Sequence, residues 1–174
     1  MTGSAESLVV ACGDVAATRA AAAAVVPHLR AGDALLLIGD LGAGKTAFTQ
    51  GLASAAGVRD AVTSPTFALM RPYPTDLGLD LLHVDVYRLA TTESIANLGL
   101  SELLEDDAFA VIEWGERAAA VVGPDHLEIR FTPAGDDGRL LEFASSAPSW
   151  TSRWPALRSD LVVARPADPL PCPP

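Results

Sequence analysis

The apolar positions of this chain fall into short runs, and the spacing of those runs predicts the elements. ALLLIG, Ala34 to Gly39, is apolar at nearly every position rather than at alternate ones, the mark of a strand buried on both faces. SLVVAC, Ser7 to Cys12, is a shorter strand candidate. Between them lies an Ala-rich stretch for which Asp14 is a well-placed N-cap, predicting a helix to about Pro27, which kinks or ends it. A second helix is predicted from about Gly44 to Gly57, with Phe48 and Leu52 four apart on one face. Phe67 to Pro74 and Leu79 to Leu89 read as two strands of a hairpin around TDLG. One or two short helices follow in TTESIANLGLSELL, then a strand at Ala108 to Trp114 and a short helix ending at Gly123 and Pro124. HLEIRFT and RLLEFAS form a second predicted hairpin across AGDDG. WTSRWPALRSDLVVA suggests a C-terminal helix, and the Pro-rich RPADPLPCPP after it suggests a disordered tail. No internal repeat is present.

Composition narrows the function. The 174 residues, 49% of them apolar, suit one domain with tails: residues 1–148 as the domain and 149–174 as a C-terminal extension. A formal charge of −10 argues against a protein that grips nucleic acid unaided, because phosphate binding needs clustered Lys and Arg. Any RNA is expected to be held by another chain. Cys12 and Cys172 have no CxxC or His partner at metal-ligand spacing, which argues against structural zinc. The N-terminus lacks a basic n-region and no apolar stretch approaches a bilayer span, so a cytoplasmic protein with no membrane role is expected.

The chemistry is announced by GDLGAGKT, Gly39 to Thr46. It sits between the buried strand and the second helix, where GxxxxGK[ST] supplies converging N–H donors, the positive end of a helix and a cation for a polyphosphate. Gly39, Gly42 and Gly44 let the backbone wrap closely. Lys45 is expected on the β and γ phosphates and the Thr46 hydroxyl on Mg²⁺. Lys45 is also the only lysine in the chain. That excludes the Asn-Lys-x-Asp motif that reads guanine, and points to ATP. Mg²⁺ is to be completed by a carboxylate at the end of an apolar strand, for which Asp85 and Glu113 both qualify.

VTSPTF (Val62 to Phe67), HVDVYRL (His83 to Leu89) and IEWGE (Ile112 to Glu116) follow the loop in that order. Together the four motifs resemble the TsaE family, called YjeE in older usage, over roughly Asp14 to Phe143. The resemblance implies an α/β, P-loop NTPase-like fold, a mixed β-sheet flanked by helices. It also implies a Mg²⁺-dependent ATPase that supports tRNA threonylcarbamoyladenosine synthesis beside TsaB and TsaD, with TsaD making the transfer and tRNA met only through the complex. Residue by residue it implies a nucleotide loop of Leu41, Gly42, Ala43, Gly44, Lys45 and Thr46. Glu113 matches the metal ligand, Asp85 a carboxylate needed for hydrolysis, and Trp114 a tryptophan near the nucleotide. Ser64, Pro65 and Thr66 match a switch-like loop, with plain turn chemistry as the competing reading. Thr18 matches the region approaching adenine, with helix capping as its alternative. Tyr87 and Arg88 either meet a partner or tie down the hairpin, and a surface salt bridge competes for Arg88. His83 is expected to pack or hydrogen-bond rather than react, sharing a face with Asp85. His28 and His126 read as structural or surface residues. The tail from Ser149, with Trp150 and Trp154, goes beyond what the family core requires.

A small-metabolite kinase shares the loop and the size, but the arginines form no obvious lid cluster. A nucleotide-gated assembly module that hardly hydrolyses ATP is the other alternative. No Gln or Glu is placed as an evident catalytic base, so weak turnover without a partner surface is expected.

Overall fold

In the computed structural model, which describes residues 6–105 and 107–164, β1 (Glu6–Cys12) leads into α1 (Val15–Val25). The Asp14 carboxylate caps that helix by accepting from the Ala17 N–H at 2.7 Å. A 3-10 turn at Val26–His28 contains Pro27 and ends it. β2 (Ala34–Ile38) is buried throughout and feeds α2 (Lys45–Ala55). β3 (Met70–Pro74) and β4 (Asp80–Asp85) form the first hairpin. Then come α3 (Thr92–Ala96), α4 (Leu100–Glu105), β5 (Ala108–Glu113) and α5 (Ala119–Val122). β6 (Leu127–Ala134) and β7 (Gly138–Ser145) make the second hairpin, and α6 (Pro148–Thr151) and α7 (Trp154–Val163) close the described chain.

The seven strands form one mixed sheet in the order β1-β7-β6-β2-β5-β4-β3. β6, β2, β5 and β4 are parallel neighbours, which is why β2 and β5 are apolar at successive positions: helices cover both faces. One face carries Leu35, Leu37, Phe109 and Val111 against α1, α2 and α7; the other carries Leu36, Leu82, Ala110 and Ile112 against the α3 to α5 side. The whole is a single α/β domain of P-loop NTPase-like architecture. None of its described helices is long and apolar enough to cross a membrane.

Two strand boundaries are corrected. The strand expected from Phe67 begins only at Met70, because residues 66–69 make a turn closed by the Leu69 N–H on the Pro65 carbonyl, with Leu69 at φ 66°. The strand expected to reach Leu89 stops at Asp85, whose own carboxylate takes the Tyr87 N–H at 2.9 Å and turns the chain. Both departures occur at residues that line or flank the same cavity.

The segment after Pro148 joins the same core. Trp150, Trp154, Leu157 and Leu161 are buried in the cluster that holds α1. Between α6 and α7, Arg153 grips Asp33 through two parallel bonds of 2.7 and 2.9 Å and lies 3.9 Å over the Trp150 ring. His28 bonds Asp160 of α7 at 2.8 Å. The expected disordered tail, with Cys172, lies outside the described residues.

Candidate nucleotide site

Parallel strands that end together bring their last residues to one edge, and that edge is where an open α/β sheet builds its sites. Here Leu37 of β2 pairs with Glu113 of β5, and Glu113 pairs with Asp85 of β4. The glycine loop leaves β2 at this edge, so loop and both carboxylates meet in one cavity of about 420 Å³. It is lined by the loop from Leu41 to Thr46, by Ser64 and Thr66, by Asp85 and Tyr87, and by Glu113 and Trp114. A larger recess of about 700 Å³ lies between α1, α2 and residues 58–62. Its walls are mostly alanine, glycine and valine, without the paired strand-end carboxylates, so size does not make it the site.

The loop is held from within and from outside. Gly44 has φ 109°, a conformation that side chains resist, and it turns the chain directly into α2. Lys45, only 4% exposed, donates to the Gly39 and Asp40 carbonyls at 2.6 and 2.8 Å and lies 4.0 Å over the Trp114 ring. Burial pushes its ammonium below the usual lysine range, opposed by the charges of Glu113, Glu116, Asp85 and Asp40. From outside, Arg139 at the start of β7 donates to the Ala43 carbonyl at 2.9 Å and to the Gly42 carbonyl at 3.4 Å.

The two carboxylates are used differently. Asp85 Oδ2 accepts from Ser64 Oγ at 3.0 Å and Thr66 Oγ1 at 2.8 Å, and its Oδ1 accepts from the Tyr87 N–H. Glu113 Oε1 accepts from the Thr46 hydroxyl and from His83 Nε2, each at 2.9 Å. Its Oε2 makes no hydrogen bond among the described residues. Magnesium binds through one or two carboxylates, hydroxyl and phosphate oxygens. No cluster of three His, Cys, Asp or Glu is needed, and none occurs among the described residues. The Thr46 and Glu113 pair is a donor set that fits this ion.

Trp114 holds φ 61° and ψ 40°, a left-handed conformation that is costly for a bulky residue and concentrated at functional sites. Its ring packs against Tyr87 at 4.8 Å between centroids. Gly115 follows because a Cβ there would stand 2.5 Å from that of Leu36. At the rim Leu41 and Phe67 are each 86% exposed, and the Arg88 guanidinium stacks on Phe67 at 4.3 Å.

Every side chain expected to act at the site is therefore gathered in the cavity except Thr18, while Gly39 and Pro65 shape the loops without lining it. Thr18 is buried in α1, bonds the Asp14 carbonyl at 3.2 Å and does not line the cavity. Two participants, Arg139 and Gln50, were not singled out for these roles, while His83 hydrogen-bonds as expected, with Glu113 as the partner that was not foreseen. Arg139 touches the loop from almost a hundred residues away, and its only local signal is an arginine opening the last strand. His83 reaches Glu113 across the strand pair. Gln50 bridges Arg19 of α1, at 2.9 Å, and the Val62 carbonyl, at 3.0 Å, just before Ser64.

Comparison with known proteins agrees with this geometry. The family model described as threonylcarbamoyl adenosine biosynthesis protein TsaE matches residues 12–141. The tRNA threonylcarbamoyladenosine biosynthesis protein TsaE of Streptomyces coelicolor is 45% identical over 111 residues, 63% of this chain and 74% of that protein. Its namesake from Bacillus subtilis is 38% identical over 128 residues, 74% and 79% of the two chains. The crystal structure of Bacillus subtilis YdiB superposes with a TM-score of 0.74 at 31% identity, over 91% of this chain and 96% of that one. With the loop, the carboxylate pair and the sheet order all in place, the chain belongs to the TsaE family.

Proposed function

We propose that this chain is the Mg²⁺-dependent ATPase component of tRNA N6-threonylcarbamoyladenosine synthesis. It binds and hydrolyses ATP in the cytoplasm to support a transfer made by TsaD with TsaB, and meets tRNA only through that complex. The observation that carries the reading is the convergence of Lys45, the Thr46–Glu113 pair and the Asp85-held hydroxyls on one cavity.

The loop N–H groups from Leu41 to Thr46 and the Lys45 ammonium bind the phosphates. Thr46 donates its O–H hydrogen bond to Glu113 and so keeps its oxygen lone pairs for a cation, while Glu113 supplies the charge. Magnesium, when bound, supplies Lewis-acid polarisation of phosphoryl oxygen. Asp85 accepts three hydrogen bonds and acts through Ser64 and Thr66, holding their hydroxyls where they can orient an attacking water. Gln50, the only glutamine, is committed to Arg19 and Val62 and is no catalytic base. This supports weak turnover until a partner orders residues 61–66.

The test is Mg²⁺-dependent ATP hydrolysis by the purified protein, alone and with TsaB and TsaD, with Lys45→Ala as the contamination control. Slow hydrolysis that rises with the partners is the expected result. Fast, partner-insensitive turnover would favour an independent enzyme, to be screened against acceptor metabolites for kinase activity, and ATP binding without hydrolysis in either condition an assembly module.

A further inference from the structure

We propose that His83 is a positioning residue that fixes the Glu113 carboxylate toward Thr46 and the cation, an inference that rests on the metal reading of Glu113 above. His83 is 0% exposed and lies two residues before Asp85 on the same face of β4. On the neighbouring strand it is level with Val111, so its ring reaches along β5 to Glu113 at 2.9 Å. A carboxylate oxygen can only accept there, so Nε2 carries the hydrogen. Nδ1 is then left buried without a partner among the described residues. An imidazole nitrogen desolvated in this way is costly, and an apolar residue of similar size would avoid that cost. What the histidine adds is the bond to Oε1.

That bond decides which cationic or protic group Glu113 serves. Lys45 already feels the Glu113 charge and is the competing partner in the cavity. With Oε1 shared between His83 and Thr46, the carboxylate stays on the hydroxyl side and Lys45 bonds the loop carbonyls instead. His83 thus keeps the lysine for phosphate and the glutamate for metal. Groups that orient metal carboxylates in this way commonly alter metal affinity when removed.

The test measures Mn²⁺ binding by electron paramagnetic resonance in the presence of a non-hydrolysable ATP analogue, and binding of the analogue without metal. His83→Leu is expected to weaken Mn²⁺ binding by about 10- to 100-fold while leaving metal-free analogue binding as in the wild type. His83→Gln, whose amide nitrogen lies at the level of Nε2, is expected to restore most of the affinity. His83→Asn, whose amide lies at the level of Nδ1, is expected to resemble the leucine variant, and this contrast stands even where the leucine variant does not fold. Wild-type Mn²⁺ binding by His83→Leu, or equal losses in the Gln and Asn variants, would overturn the inference while a loss in Glu113→Gln upheld the metal site. Should Glu113→Gln itself bind Mn²⁺ like the wild type, the metal reading fails and this inference with it.

Discussion

Two buried acidic residues flank the ends of β2, Asp33 just before it and Glu113 of β5 level with Leu37, and they are treated in opposite ways. At its start, Asp33 receives two bonds from Arg153 and a third from the Arg30 N–H, and the pair is buried. Level with its other end, Glu113 is just as buried but meets only hydroxyl and imidazole, and one oxygen is left over. A carboxylate matched by a bidentate guanidinium is a finished structural joint. One held by a hydroxyl and an imidazole in a cavity still has charge to offer a cation. Burial alone therefore does not separate scaffold from site; the chemistry of the partner does.

The sharpest way to break this contrast is at the finished joint. Arg153→Ala strands a buried Asp33 and should cost about 3–5 kcal/mol of folding stability, read from urea unfolding, while the protein that remains folded binds ATP as before. Loss of ATP binding in that folded fraction would mean that the two ends are not independent. At the other end, Lys45→Ala should weaken ATP binding by about 30-fold or more, since truncating a buried charge opposite a charged ligand costs about 2–5 kcal/mol. Calorimetric titration measures it, and thermal unfolding should show no comparable loss. Glu113→Gln should remove the Mg²⁺ dependence of nucleotide binding yet change stability by no more than about 1 kcal/mol, the scale of one ordinary hydrogen bond. The smallest effect is expected at Gln50→Ala. Its loss frees the Val62 carbonyl and should accelerate amide exchange across residues 61–66, with a stability change of about 1 kcal/mol.

What could be read from the sequence was local. The loop, its flanking strand and helix, the Asp14 cap and both hairpins depend on residues close together in the chain. The four-motif order carried the family. The joints that complete the site are long-range. Arg139 on Gly42 and Ala43 and His83 on Glu113 follow from the sheet order, which periodicity does not encode. The misplaced strand ends have a related cause: apolar content favoured extension, while the Asp85 side chain and the Leu69 backbone imposed turns. Thr18 was placed by analogy of position, and in the structure it lies within packed helix.

The sheet order also sets a schedule for synthesis. β1 emerges from the ribosome before the other described strands, but its strand partner is β7, with Glu6 opposite Ser145. At roughly 5–20 residues per second a nascent chain carries an unpaired first strand for many seconds before that partner is made. The central strand β2 likewise waits for β6, and the glycine loop waits for Arg139. A nascent chain thus displays the phosphate-binding motif long before it has a phosphate-binding site, and competence arrives late, with the closing hairpin.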